Sequence, residues 1–386
     1  MFVQHGHVSC VMLFAKTIPL SRSTRVLANG RPDSATDERS LVTTTSPELR
    51  SLVADLLETA PGTEEDPRRR ALLESILATC VALAGDGAAI PDLKLIDAAL
   101  SEMRRALNCF ARYSSIRKVA TFGSARSRSS DPEYQLARDF AAAAARAGYM
   151  IITGAGPGVM RACQEGAGRE RSFGVNIRLP FENVANEFIR GDDKLVEFKY
   201  FFTRKLFFLK ESSAIVLFPG GFGTHDECFE ALTLVQTGKS RMVPIVFIDV
   251  PGGTYWQTWN RYVEDHILAK SLIDPEDLSI FRITDRIEDA VEEIDSFYRV
   301  YHSARTIRNR LVVRTRFAIS DSDIAALSCE FSDILRGKPI VRREPYEEEH
   351  DEPAILSLPR LVLHFDMKRY GRLRQLINRL NQSTAA

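Results

Sequence analysis

The sequence predicts an α/β fold: a Rossmann-like doubly wound parallel sheet, preceded by a helical module and followed by a small α+β segment. Short β-rich runs alternate with helical periodicity from residue 116 to about residue 300. That alternation signals βαβ units and a parallel sheet covered on both faces. Three of the runs end in loops of small residues, Gly123-Ser124, Gly154 to Gly158 and Gly220 to Thr224. In a doubly wound sheet, ligands bind beyond the carboxyl ends of the strands, so the three loops are expected to meet at one crevice.

Residues 1–45 carry no sustained periodicity and many Ser, Thr, Arg and Asp. They read as a mobile arm or an over-extended gene start. Residues 46–115 form the helical module. SPELRSLVADLLETA opens with a Ser-Pro-Glu helix start, and RRRALLESILATCVALA and LKLIDAALSEMRRALNCFARY repeat its apolar three-to-four spacing. The central domain is 116–304. IRKVATFGS is its first strand, and residues 132–147 are a helix with an alanine-rich face, ended by Gly148. YMIIT is a buried strand, TGAGPGVMRACQEGA a Gly-rich turn entering a helix, and FGVNIRLP another strand. A helix at about 201–211 precedes the strand AIVLF, a Gly-rich loop and a helix from about 225. VPIVFID is a strand; YWQTWNRYVEDHILA and DRIEDAVEEIDSFYRVY are helices. In residues 305–386, NRLVVRTRFAI and PRLVLHFDM read as strands, and DSDIAALSCEFSDIL and YGRLRQLINRL as helices. The acidic run PYEEEHDEP between them is expected to be a solvated loop, its carboxylates hydrated rather than metal-binding.

The 386 residues contain 51 Lys+Arg and 51 Asp+Glu, so net charge points to neither a nucleic acid nor a membrane partner. No run approaches the ~20 apolar residues of a membrane span, and the short VSCVMLFA stretch lacks the basic lead-in and cleavage site of a signal peptide. The six cysteines form no CxxC and no Cys/His pair at metal spacing, so reduced thiols in a cytoplasmic protein are expected and no metal site is assigned. Cys228 lies inside the third loop's motif. A catalytic thiol needs a neighbouring His and acid, none is evident, and packing is the reading.

The third loop carries the chemistry. In VLFPGGFGTHDECFEAL, residues 216–232, a buried strand leaves through PGGFGT into a helix. Glycines let the backbone approach a ligand and turn several N–H groups to one spot, and a helix N-terminus adds positive potential. The loop therefore suits a phosphate, with the Thr224 hydroxyl as a further donor; a tight structural turn is the plain alternative. TGAGPGVM is GxGxG rather than GxGxxG and has no following Gly-Lys-Ser/Thr, which favours a mononucleotide over NAD or ATP hydrolysis. Asp226 and Glu227 follow the loop, either as partners of the helix dipole or with a task of their own. Arg204 and Lys205 interrupt an aromatic helix, YFFTRKLFFLKE, and face either a cleft or solvent. An arginine and a carboxylate beside a phosphate cradle suit cleavage of a bond to a sugar carbon. The carboxylate orients water and stabilises an oxocarbenium-like centre, while the arginine holds the carboxylate ionised.

With TRK at 203–205 and PGGFGTHDE at 219–227, the chain resembles the LOG (LONELY GUY) family. These are cytokinin riboside 5′-monophosphate phosphoribohydrolases and bacterial nucleoside-monophosphate nucleosidases. FGSAR at 122–126 and TGAGPGVM at 153–160 are similar to the family's first two nucleotide-binding loops, and NIRLPFE, YFFTRK and EALTLVQTGK are similar to its longer bacterial members. The resemblance covers about 116–300 and implies hydrolysis of the N-glycosidic bond of AMP-like nucleotides to free base and ribose 5-phosphate. It implies catalytic roles for Arg204 and Glu227, and phosphate contacts from Gly220, Gly221, Gly223 and Thr224. It also implies nucleotide contacts from Gly123, Ser124, Gly154, Gly156 and Gly158, with Lys205 beside them. No metal or cofactor is implied, and a homodimer or higher homo-oligomer is. Family members are often labelled lysine decarboxylases, but no residue context here supports a pyridoxal phosphate Schiff base. The sequence departs from many relatives at His225, which either touches the ligand or caps the helix, the cap being the favoured reading, and in its flanking segments. A non-catalytic nucleotide or cofactor carrier or sensor is the alternative on the same fold.

Overall fold

The computed structural model describes residues 51, 53, 55–57, 66–178 and 185–385. The expected N-terminal arm, most of the helix opened by SPELRS and part of NIRLPFE lie outside the described residues. The chain divides into two compact units, one up to Ile90 and one from Pro91 onward. In the first, helix α1 (Pro67–Gly85) is capped by Asp66, whose carboxylate accepts from the Arg68 N–H at 2.9 Å, with Pro67 at the first helical position.

The second unit begins with most of α2 (Ile90–Ala111), which the sequence reading groups with the preceding helices. Its buried stripe of Ala99, Glu102, Ala106, Cys109 and Phe110 faces the sheet, and the Phe110 ring stacks on Phe173 at 4.6 Å. The elements then run β1 (Lys118–Phe122), α3 (Pro132–Arg146), β2 (Met150–Thr153), α4 (Val159–Ala167), β3 (Ser172–Ile177), β4 (Leu195–Phe198) and α5 (Phe201–Glu211). After these come β5 (Ala214–Leu217), α6 (Phe222–Gln236), β6 (Ile245–Ile248), α7 (Tyr255–Tyr262), β7 (Phe281–Thr284) and α8 (Ile287–Phe297).

These seven strands form one parallel sheet in the order β4-β3-β2-β1-β5-β6-β7. β1, β2, β5 and β6 are buried throughout, as expected of strands with helices on both faces. The chain winds outward from β1 in one direction and, after β5, in the other. The β1/β5 neighbours therefore form the switch point, where loops diverge and leave a crevice.

Four features differ from the sequence expectation. Strands β4 and β7 were not anticipated: LVEF and FRIT are short, and both lie at sheet edges where burial alternates. Helix α6 starts at Phe222 rather than about 225, because the glycines themselves form its first turn. The helix expected through residue 269 is α-helical only to Tyr262 and passes through a π-turn at Val263–Ile267. The acidic run is not a hydrated loop. Glu347–Asp351 is a short 3₁₀ turn, and Glu349 is fully buried between Arg314 and Arg360, at 2.8 and 3.1 Å.

That turn belongs to the C-terminal segment. Here β8 (Tyr301–Ile307), β9 (Arg310–Thr315), β10 (Val341–Arg342) and β11 (Arg360–Leu363) form an antiparallel sheet in the order β10-β11-β9-β8. Helices α9 (Asp321–Glu330) and α10 (Tyr370–Leu380) accompany it. Leu311, Val313, Leu361, Leu363, Leu376 and Ile377 join the same apolar core as Phe247, Trp256 and Val243 of the large sheet and its helices.

Candidate functional site

The loops after β1 and β5 meet at the switch point. The Ser124 N–H donates to the Pro219 carbonyl at 3.1 Å, and the Ser124 carbonyl accepts from the Val159 N–H at 2.9 Å. Two hydrogen bonds thus tie the three small-residue loops together. They open a cleft of about 680 Å³ whose lining includes Gly123, Ser124, Gly154, Arg204, Gly220, Gly221, Gly223, Thr224 and Glu227. Arg126, Met160, Phe201, Phe222, His225 and Asp226 also line it. Gly156, Gly158 and Lys205 lie off the cleft.

Close packing explains the glycines behind the surface. A Cβ on Gly154 would lie 2.5 Å from Arg204 Nη2 and 2.7 Å from Met160 Sδ, and one on Gly220 would lie 2.2 Å from Thr224 Oγ1. Gly158 has φ +65° and leaves no room for a Cβ beside the Ser124 carbonyl, at 2.2 Å. Gly221 and Gly223 are different: nothing lies within 4 Å of where their Cβ atoms would be. No protein neighbour demands glycine there, and both positions border the cleft at the N-terminus of α6. Side chains at these two positions would project into open space where backbone N–H groups otherwise face the cleft.

Arg204 reaches the cleft from α5. Its Nε donates to the Val175 carbonyl at 3.0 Å, and its guanidinium lies over the Phe208 and Phe201 rings at 5.2 and 5.9 Å. Burial lowers its pKa, and the field of Glu227 acts in the opposite direction. The helix carrying it lacks a capping side chain of its own at Tyr200. Glu102 of α2 supplies one from outside, accepting from the Lys199 N–H at 2.6 Å and from Thr203 Oγ1 at 2.8 Å.

Glu227, on the inner face of α6, is 8% exposed. Burial pushes its carboxyl up to about 7, although Lys205 and Arg204 both pull it down. This corrects the expectation that Arg204 holds the carboxylate ionised. Among the described residues no ion pair joins the two, so desolvation outweighs an attraction acting across the cleft. Lys205 instead lies 2.7 Å from Asp226 and 2.8 Å from Glu230. Burial opposes its charge, but those two carboxylates raise its pKa above the ordinary lysine value.

His225 is no helix cap. Its backbone N–H bonds the Gly221 carbonyl inside α6. Its ring Nε2 lies 2.7 Å from the Tyr255 hydroxyl, which also bonds the Gly220 carbonyl. Burial lowers the pKa of this imidazole. Cys228 is buried, its thiol pushed up to about 12 by desolvation, so it packs rather than reacts. Sequence reasoning missed Glu102 and Tyr255, and no local signal could have found them, because they lie 101 and 35 residues from the atoms they hold. Arg126 stood inside the quoted FGSAR and was recoverable from it.

Among the described residues, no group of three or more His, Cys, Asp and Glu is arranged to hold a metal ion. No described helix is long and apolar enough to cross a membrane.

No curated protein matches the chain significantly. Among solved structures it is similar to the molybdenum cofactor binding protein of Rippkaea orientalis (17% identity, 47% of this chain and 96% of that one, TM-score 0.35). The molybdenum cofactor carrier protein of Chlamydomonas reinhardtii is similar at 16% identity over 47% and 96% of the two chains, with TM-score 0.33. DNA processing protein A of Helicobacter pylori is similar at 14% identity over 46% and 79%, with TM-score 0.33. A family model described as possible lysine decarboxylase matches residues 158–294, the stretch that supplies Arg204, the third loop and Glu227. The matched stretch lies within residues 116–300, the part of the chain that resembles the LOG family.

Proposed function

We propose that this protein hydrolyses the N-glycosidic bond of AMP-like nucleoside 5′-monophosphates, releasing free base and ribose 5-phosphate. One observation carries the reading: Arg204 and Glu227, from different helices, line the same cleft as all three small-residue loops. A pure binder needs the glycines but not a buried arginine and carboxylate opposite them.

In this mechanism the N–H groups of the α6 N-terminus and the Thr224 hydroxyl hold the 5′-phosphate. Holding it fixes C1′ near Glu227, so positioning supplies much of the rate. Arg204 faces the sugar and phosphate as a cation. Ionised Glu227 orients a water and accepts its proton as the water oxygen bonds to C1′. The C1′–N bond breaks, its electron pair leaves with the base, and the base takes up a proton. The carboxylate also stabilises the positive charge that develops at the anomeric centre. Tyr255 positions the Gly220 carbonyl from behind.

A lysine decarboxylase reading has no support in the site. A Schiff-base lysine must be able to lose its charge, whereas Lys205 is held protonated by two carboxylates.

Incubation with a panel of nucleoside monophosphates and the matching nucleosides tests the proposal. Release of base and ribose 5-phosphate from AMP but not from adenosine is expected. Binding of monophosphates without cleavage would replace it with the carrier or sensor reading. Whether the biology is cytokinin activation or nucleotide salvage follows from which bases are released. The reading also assigns a homodimer or higher homo-oligomer. Phe201, Phe202, Leu206 and Phe229 are exposed on α5 and α6, and a second copy of the chain would cover them.

A further inference from the structure

A second cleft lies at the opposite, amino-terminal ends of the strands. It has a volume of about 540 Å³ and is walled by the residues leading into β1, β2 and β3, together with the end of α8 and Arg316 beyond β9. Three arginines converge there: Arg117, Arg171 and Arg316.

None of the three is neutralised by a carboxylate among the described residues. Arg117 is half-buried and its guanidinium lies over the Tyr298 ring at 3.9 Å, with no hydrogen-bond acceptor among the described residues. Arg171 uses Nη1 on the Gly148 carbonyl at 3.2 Å, and Arg316 uses Nε on the Tyr298 carbonyl at 2.6 Å. Their other donors meet no acceptor among the described residues. Asp295, the one carboxylate lining the cleft, accepts from the Tyr149 hydroxyl at 2.6 Å and pairs with no arginine. Burial lowers the pKa of Arg117, and Arg316 and Arg241 add like-charge repulsion.

Three like charges facing one partly buried space, with a single carboxylate that pairs with none of them among the described residues, cost free energy in the fold. A chain that needed them only for packing would gain by pairing them or replacing them. An anion removes the cost, and arginines are the side chains best suited to bidentate phosphoryl oxygens. The volume falls in the range of small-molecule sites, roughly 300–1,000 Å³, and exceeds the needs of a single ion.

We infer that this cleft is an anion-binding site, separate from the Arg204/Glu227 cleft, for a small molecule carrying two or more phosphoryl charges. The Tyr298 ring backs the Arg117 guanidinium on one wall, and Arg171 and Arg316 close on the ligand from the rim. Because Arg316 follows β9 while Arg117 precedes β1, the ligand also links the C-terminal segment to the large sheet.

Calorimetric titration of the full chain with inorganic pyrophosphate tests this, alongside an Arg171→Ala/Arg316→Ala double variant checked for an unchanged circular dichroism spectrum. Both substituted residues lie at the accessible rim. With the nucleotide cleft also taking phosphoryl groups, wild type shows two sites per chain and the double variant one, the survivor displaced by AMP. If the nucleotide cleft takes none, wild type shows one site and the variant none, so the two readings fail separately. Arg316→Glu alone is expected to weaken the site at least tenfold. A nucleoside triphosphate binding more tightly than pyrophosphate at the AMP-insensitive site would extend the ligand to a nucleotide. Equal number and affinity of pyrophosphate sites in wild type and double variant, or no pyrophosphate bound by wild type, overturns the inference.

Discussion

At Glu227, burial and the attraction of two cations oppose each other, and burial wins. The folded carboxyl sits at about 7 against the 4.5 of an ordinary exposed glutamate. Between those values the folded state holds a proton that the unfolded chain has released. Stability therefore falls as pH rises through that window, and the loss is complete above about 7, on the order of 3 kcal/mol. Glu227→Gln removes the cost, so its melting temperature should exceed that of wild type at pH 8 and match it near pH 4.5. The same substitution should abolish turnover while leaving nucleotide affinity within a few fold. Near-normal turnover of the glutamine variant, followed by base release, would sink the proposed mechanism. Since the ionised form does the work, kcat/KM of wild type should fall as pH drops through about 7, which a pH–rate profile reads directly.

Helix α5 holds Arg204 only as firmly as the helix start is held, and that start depends on a residue 101 positions away. Glu102→Ala leaves the Lys199 N–H and the Thr203 hydroxyl without their partner at a buried helix end. A loss of about 1–3 kcal/mol in denaturant unfolding is expected, with kcat falling more than KM rises because Arg204 loses its placement. An unchanged kcat would mean that the Val175 carbonyl and the two phenylalanine rings position Arg204 unaided. On the other side of the cleft, Tyr255→Phe removes the hydroxyl that bonds both His225 and the Gly220 carbonyl. A rise in nucleotide KM with little change in melting temperature is expected. The strands and the two site helices were legible because buried parallel strands and glycine loops leave a local mark. β4 and β7 were not, since four-residue edge strands owe their conformation to the neighbour they pair with.

Across the whole molecule, the C-terminal segment is part of the core rather than an appendage. Its Leu311, Val313, Leu363 and Ile377 share one apolar cluster with the large sheet, so removal of residues 305–386 should yield an aggregating chain rather than a trimmed enzyme. Inside that segment Glu349 is fully buried between two arginines that are 2% exposed. Glu349→Ala leaves Arg360 without a carboxylate and Arg314 with Glu352 alone, at 2.6 Å, and should cost about 3–5 kcal/mol, read by denaturant unfolding. A cost below about 1 kcal/mol would show that the arginines relax toward solvent.

The sequence by itself determined the α/β class, the three small-residue loops and the two residues that became the candidate chemistry. Each is written locally, in alternating periodicity, in glycines where the backbone must come close, and in charges set within an aromatic helix. Tertiary structure alone decided the rest. It set the protonation of Glu227, because desolvation depends on what the whole fold packs around a carboxyl. It paired Lys205 with Asp226 and Glu230, turned His225 toward Tyr255, and buried Glu349 of the acidic run between two arginines. Burial, long-range hydrogen bonds and the summed field of distant charges have no fixed spacing along a chain, so no pattern of neighbours announces them.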